Sequence, residues 1–465
     1  MIKGLLALFA VGFCVLMTVA IENCLMSCRV KSPIGSAEPD LRLFASLYSL
    51  EMTGIPKPAN VAYESGRTSR GAVENGRYFE YAGCIHIHTI YSDGGGTYAE
   101  IAAAADSLGL DFIIPTDHNT LAPFADGWAK KVGGVLIIPA VENSTNHGAG
   151  HFLTIGDSLT LVRSAHVPSD SVYHDAERRG NMIFLAHVFH PAYNSWRNWN
   201  IGGYTGMEIF NLDENWRATL HPFRINRLLA SSLVYGFQND ALNNVISFPR
   251  KQLEKFAELN MTHRVVGIGS VDAHARRLFP GDPRTGVPSY GSIFRLVHTI
   301  IITREPFDGD YRHDRKMVLT ALRHGNCYIA FSGFEVARGF LFTARSDSFE
   351  ATCGDSLRMG NEARLHIVLP ESRNITVQIV RNGTVMKEYR NEGMVDCTVS
   401  MPGVYRVQVF QDRTMLPFFH TQHFPWILSN PIYIYLSPRV YAYTRGPQQD
   451  PAWLQSHLRK RSSSL

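Results

Sequence analysis

The stretch "GCIHIHTIYSDGGG", residues 83–96, sets His86 and His88 two apart at the end of a short apolar run. Along an extended chain, alternate residues share a face, so both imidazoles point the same way. Asp93 follows, and the glycines at 94–96 permit a turn sharp enough to bring that carboxylate back toward the histidines. Cys84 lies on the same face one step deeper and reads as core. A single His-x-His pair proves little; its meaning depends on what the rest of the chain sets beside it.

The same arrangement recurs along the chain. Asp117 and His118 end "IIPTDH", Glu142 ends "IIPAVEN", His151 opens "HFLTIG", His187 ends "MIFLAH", and Asp272 and His274 end "GIGSVDAH". Most of these runs are continuously apolar, as are "GMEIFN" and "HTIIITR". Strands buried on both faces look like this, as in a parallel sheet covered by helices. Between the first two runs, Thr97 and Glu100 make a capping box ahead of an Ala-rich helix that Gly109 stops. Strand–helix alternation of this kind predicts an α/β layer or barrel. In such barrels functional residues gather at the C-terminal rim of the strands, which is where most of these side chains fall. The stretch 214–262 reads as a helical insertion or an extended helical pair. From about residue 335, "RGFLFTAR", "ARLHIVLP", "ITVQIVRNG" and "VYRVQVFQD" alternate apolar and polar residues between Asn-Gly and Pro-Gly turns, the pattern of a small antiparallel β-sandwich over 335–440.

Imidazole and carboxylate are ligands for zinc, manganese and iron. Burying so many ionisable groups without a counter-ion would be very costly. The pattern therefore predicts a divalent-metal centre that draws nine or ten ligands from His86, His88, Asp93, Asp117, His118, Glu142, His151, His187, Asp272 and His274. No serine or cysteine sits in a convincing nucleophile setting. Arg276 and Arg277 come directly after the Asp-x-His and read either as an anion clamp or as a solvated loop pair.

Composition bounds the rest. At 465 residues the chain exceeds one simple core, and its 45% hydrophobic and 18% charged shares are ordinary for a globular protein. Net charge is +4, with basic residues scattered apart from "LRKRSSSL" in the tail 441–465, so no nucleic-acid partner is expected. Lys3 precedes an uncharged apolar run over residues 4–21. That run within 1–30 reads as a membrane anchor, in preference to a signal peptide cleaved near Thr18-Val19-Ala20; either sends the bulk of the chain out of the cytoplasm. Residues 31–80 form a lead-in. None of the seven cysteines belongs to a Cys-x-x-Cys pair, which argues against a thiolate metal site. Cys353 and Cys397 read either as a disulfide in an oxidising compartment or as buried free thiols.

Taken in order, "HIHTIYSDG", "PTDHN", "VEN…GHF", "LAHVFHP" and "GSVDAHA" resemble the motifs of the polymerase and histidinol phosphatase (PHP) superfamily over about residues 81–330. "ALRHGNCYIAFSGF" and "PWILSNPIYI" are similar to its carbaryl-hydrolase-like branch. The resemblance implies a distorted seven-stranded β/α barrel over 81–334 that holds two or three divalent ions (Zn, Mn or Fe). His86, His88, Glu142 and Asp272 would surround one ion. Glu142 would bridge to a second, held also by His151 and His187, and Asp93, His118 and His274 would hold a third. Asp117 would orient His118 or a bound water. The family's compact His-Pro is stretched here to "HVFHP"; His187 directly follows the strand and is taken over His190. The activity implied is metal-dependent hydrolysis of a small-molecule phosphoester, with a carboxyl or carbamate ester as the alternative. A membrane-anchored binding protein is a third reading, disfavoured because the ligand set is complete.

Overall fold

The apolar runs form strands, and several of the stretches between them form helices. β1 (Tyr78–Ile85) leads into the His-x-His, and α1 (Tyr98–Ser107) follows it. The Thr97 hydroxyl accepts from the Glu100 N–H at 3.2 Å, while the Glu100 carboxylate accepts from the Thr97 N–H at 2.7 Å, which closes the expected capping box. Next come β2 (Phe112–Ile114), β3 (Val135–Ile137), β4 (Val141–Asn143), β5 (Phe152–Ile155), α2 (Ser169–Arg178), β6 (Met182–Leu185) and β7 (Gly206–Asn211). Then follow α3 (Arg250–Asn260), β8 (Val266–Ser270), β9 (Val297–Thr303), α4 (Tyr311–His324) and β10 (Cys327–Phe331). The computed structural model describes residues 72–73, 77–144, 150–157, 159, 169–191, 195–219, 242–243, 245–275, 288–415 and 420–436. The expected anchor or signal, nearly all of the lead-in, residues 220–241 and 244 of the helical stretch, Arg276 and the basic tail lie outside them.

Two sheets carry the first part of the chain. One contains β3–β2–β1–β9–β10 and the other runs β8–β7–β6–β5–β4. The expectation of a parallel sheet needs correction. The pairs β1/β2, β2/β3, β6/β7 and β7/β8 are parallel, but β1/β9, β4/β5 and β5/β6 are antiparallel. The link from β4 to β5 is too short for the crossover that a parallel pair requires, so the chain turns back on itself there.

The two sheets meet where β1, β2 and β8 run on past their C-terminal ends, and at β4 itself. Ile87 bridges Ala273 and His118 bridges Glu142, both in parallel. The His88 N–H donates to the Ala273 carbonyl at 2.9 Å, and the Glu142 N–H donates to the Thr116 carbonyl at 3.1 Å. Away from these seams, Ile85, Phe112, Ile114, Leu153, Phe184 and Ile268 pack with Val318 and Leu322 of α4 into one apolar cluster.

The C-terminal strands are β11 (Leu341–Ser346), β12 (Phe349–Thr352), β13 (Ala363–Val368), β14 (Ile375–Arg381), β15 (Thr384–Arg390), β16 (Met394–Val399), β17 (Gly403–Met415), β18 (His420–Ser429) and β19 (Ile432–Tyr435). Four make an antiparallel sheet ordered β12–β11–β13–β16. The others extend the first sheet, because β18 pairs with β10 through Tyr328↔Ser429, Ile329↔Leu428 and Ala330↔Ile427. A continuous sheet therefore crosses the boundary placed near residue 335 by the change in sequence pattern. Cys353 and Cys397 are free, buried thiols, as are Cys84 and Cys327. Cys353 follows β12 and Cys397 lies on β16, at opposite edges of the four-stranded sheet, beyond disulfide reach.

Where the first sheet meets the segment before β11, Glu80 is fully buried. Its carboxylate lies 2.7 Å from the Tyr328 hydroxyl and accepts from the Gly339 N–H at 2.7 Å. Tyr328 also lies 2.9 Å from the Ala337 carbonyl, and its single proton cannot serve both acceptors. A protonated Glu80 resolves this by donating to Tyr328. Burial pushes its carboxyl up to about 7 from 4.5, although Tyr328 and Gly339 pull the other way. A carboxyl raised in the folded state binds more protons there, so its contribution to stability falls as pH rises from about 4.5 to about 7 and is level above. Glu80→Gln mimics the protonated form. Its melting temperature relative to the parent should be equal or lower at pH 4 and rise above it by pH 8, as checked by thermal denaturation across that range.

Candidate metal centre

The seams put the chemistry in one place. Ile87 stands between His86 and His88, and Ala273 between Asp272 and His274, so that one bridge aligns four of the candidate side chains. The other bridge, His118 to Glu142, joins two more. The loop after β1 folds back tightly: the Gly94 N–H donates to Thr89 O at 2.9 Å and the Gly95 N–H to His274 O at 2.7 Å. A Cβ on Gly94 would lie 2.2 Å from the His88 carbonyl oxygen, so only glycine fits that approach. The turn returns Asp93 to the histidines, 3.5 Å from His88 Nδ1 and 3.3 Å from His274 Nε2.

Glu142 is the hub. Its Oε2 lies 3.0 Å from His86 Nε2, 3.1 Å from His88 Nε2 and 3.2 Å from His118 Nδ1. Its Oε1 lies 2.9 Å from His151 Nδ1 and 3.0 Å from His187 Nε2. Asp272 Oδ1 faces His86 Nε2 at 3.4 Å, His88 Nε2 at 3.3 Å and His274 Nδ1 at 3.6 Å. All nine side chains picked out as candidate ligands are thus brought together. Three groups present donor atoms within 4.8 Å of one another: His88, Asp93, His118 and His274; His86, Glu142 and His187; and His86, His88 and Asp272. The last two are buried, whereas the first opens to solvent through Asp93, whose side chain is 40% exposed.

Do these groups suit cations? Two donors each about 2.1 Å from one ion stand roughly 3.0–3.4 Å apart at octahedral or tetrahedral angles, close to the spacings here. The hydrogen-bonding points the same way. His88 Nε2 and His118 Nδ1 are buried and close to carboxylate oxygens, yet neither makes an aligned hydrogen bond. Without a cation, the carboxylates are neutralised only by protonating rings. Burial disfavours charge on His86, His88 and His187, but Asp272 and Glu142 outweigh it, holding His86 well above its ordinary value, His88 at about 10 and His187 at about 9. Against the same burial, the histidines hold Glu142 and Asp272 well below the usual carboxylate range. Burial brings His118 down to about 4, so that ring stays neutral beside Glu142. A neutral imidazole nitrogen with no aligned proton, facing a carboxylate oxygen, is the arrangement that a shared cation relieves.

Other sequence expectations fall differently. Asp117 does not hold His118. Its oxygens accept from the Thr89 N–H at 2.8 Å, Ser92 Oγ at 2.7 Å and Thr89 Oγ1 at 2.9 Å, so it pins the loop that carries Asp93. His190 lies off the hub, with Nε2 3.4 Å from Asp213, while His187 faces Glu142. Glu208, which the sequence reading passed over, is buried and 2.6 Å from His86 Nδ1. The available signal was an acid in the middle of the apolar run "GMEIFN".

No family model matches the chain, and no curated protein does. Among solved structures it is similar to a two-domain protein from Bacteroides vulgatus described as containing a predicted PHP-like metal-dependent phosphoesterase, at 15% identity and a TM-score of 0.36, over 78% of this chain and 100% of that one. It is also similar to an amidohydrolase from Chromobacterium violaceum with bound sulfate and no metal, at 13% identity and a TM-score of 0.25, over 44% of this chain and 89% of that one. Likeness at this level lends nothing to the chemistry, which rests on the cage itself.

Two substitutions separate the parts of the cage. Glu142→Gln weakens the acceptor shared by five rings and should bring zinc content close to zero by elemental analysis. His274→Ala removes a donor of the solvent-facing group that meets the buried half through Asp272 at 3.6 Å, and should lower the content by about one ion while leaving the rest.

Proposed function

We propose that the chain is a metal-dependent hydrolase and, within that class, a phosphoesterase acting on a small-molecule phosphate ester. The observation that carries the reading is the ring of five imidazoles around the two oxygens of Glu142, with a further solvent-facing group of donors beside it. His86, Glu142, His187 and Asp272 would hold ions in the buried half; His88, Asp93, His118 and His274 would hold one in the open half, with His151 completing the side of Glu142 Oε1. On this reading the two sheets, stitched at their seams, correspond to a distorted seven-stranded barrel with the cage at its rim.

Divalent zinc, manganese or iron supplies Lewis acidity toward substrate oxygens and a source of hydroxide near neutral pH. The protein's own contribution is placement. The buried carboxylates and rings exclude water from one half of the cage, and the open half leaves Asp93, His118 and His274 beside the approach from solvent. Asp117 keeps the Asp93 loop in position through Thr89 and Ser92. A phosphoryl group presents several oxygens on which charge must be neutralised, whereas a carbonyl develops charge on one. Three adjoining donor groups therefore favour phosphoryl transfer over hydrolysis of a carboxyl or carbamate ester. The charge-free run at residues 4–21 supports, as part of the same proposal, a location outside the cytoplasm, by an anchor or a cleaved signal.

The test is a panel of phosphomonoesters, phosphodiesters, carboxyl esters and carbamates, run on the full-length protein before and after chelation. Phosphoester turnover should vanish with chelator and return with added zinc or manganese. Turnover of carboxyl esters alone would move the assignment to the alternative, and chelator-insensitive turnover would remove the metal from the chemistry.

A further inference from the structure

β7 supplies none of the nine cage residues, yet it lies between strands that do. It pairs in parallel with β6, which ends just before His187, and with β8, which ends just before Asp272. Its side chains reach three cage residues. Glu208 Oε1 is 2.6 Å from His86 Nδ1; Oε2 accepts from the His187 backbone N–H at 2.6 Å and from Asn211 Nδ2 at 2.8 Å. Asn211 Nδ2 also lies 3.3 Å from Asp272 Oδ2, and Asn211 Oδ1 accepts from the Glu214 N–H at 2.9 Å. Both side chains are buried.

The three residues so reached share a backbone peculiarity. His86, His187 and Asp272 have φ of 67°, 30° and 47°, in the left-handed region that residues with a Cβ seldom occupy. Such conformations persist only where the surroundings over-determine them. Here one carboxylate and one amide meet all three. Glu208 takes the Nδ1–H of His86, which leaves the Nε2 lone pair facing Glu142 and Asp272, and it ties down the N–H at the His187 turn. A glutamine could not do both. It has one acceptor oxygen, and its amide N–H would face a second donor.

We infer that Glu208 and Asn211 are positioning residues that hold three cage side chains in register from a strand with no cage residue of its own. The inference rests on the metal-centre reading. The experiment uses the full-length protein and zinc alone as probe. Zinc affinity is measured by chelator competition for the parent, Glu208→Gln, Asn211→Ala and, as a buried carboxyl outside the cage, Glu80→Gln. Glu208→Gln should bind zinc about 10-fold to 100-fold more weakly, and Asn211→Ala should shift in the same direction by less. Glu80→Gln should match the parent, which separates positioning from a general disturbance of the core. In protein labelled with ¹⁵N-histidine and loaded with zinc, the parent should show a strongly downfield His86 Nδ1 proton that Glu208→Gln loses. If Glu208→Gln fails to fold, Asn211→Ala carries the affinity test. Parent-like affinity in the variants that fold, with the His86 proton retained, overturns the inference and leaves the metal centre standing. A parent protein that takes up no zinc overturns the metal-centre reading, and this inference with it.

Discussion

Two carboxylate oxygens on Glu142 face five imidazole rings at 2.9–3.2 Å. Hydrogen bonding alone serves this cluster poorly. An oxygen accepts a few donors along its lone pairs, and at least two of the ring nitrogens nearby are buried without an aligned bond. Leaving such groups unpaired in the interior is costly, and protonating the rings to satisfy the carboxylates buries several positive charges together. A shared cation removes both problems, since it accepts lone pairs from neutral rings and carboxylates alike. The folded state then depends on the occupant, because binding that requires a formed site adds to folding stability.

The fold delivers these side chains through its seams rather than through any one element. Strands β1, β2, β4 and β8 are short and nearly featureless in the core. β1, β2 and β8 run on past their regular ends, and there the backbone pairs across sheets, Ile87 with Ala273 and His118 with Glu142 inside β4. Pairing at Ile87 and Ala273 lines up residues 86, 88, 272 and 274, which flank the bridge. Gly94 lets the following loop lie against the His88 carbonyl, and Asp117 fixes that loop from below through Thr89 and Ser92. Positive φ at His86, His187 and Asp272 stores strain at the centre, which the packed strands and buried polar contacts around it must offset.

Much of this site was legible in the residues because metal-competent side chains punctuated apolar runs at their ends, a pattern with few other physical uses. The capping box at Thr97 and Glu100 and the glycine turn after Asp93 were readable for the same reason: each depends on local chemistry. What escaped was set by partners distant in sequence. Continuous apolar runs look alike whether their neighbours are parallel or antiparallel, so the reversal through β4, β5 and β6 left no mark. The alternating pattern after residue 335 announced antiparallel strands but not that β18 would join β10 and prolong the first sheet. Asp117 sits beside His118 in sequence and was expected to orient it or a bound water, whereas its carboxylate turns to the loop after β1. Glu208 was visible as an acid inside an apolar run; its partner, His86, is set by β7 pairing with β8, whose extension meets that of β1 at Ile87 and Ala273.

The central claim is that Glu142 and its five rings enclose divalent ions. Anomalous diffraction at the zinc edge, from crystals of the full-length protein grown with zinc, tests it most directly. The account predicts peaks about 2.0–2.2 Å from Glu142 oxygens and from the nitrogens of the surrounding histidines. Zinc bound only elsewhere, with the Glu142 cage free of anomalous signal, would contradict it.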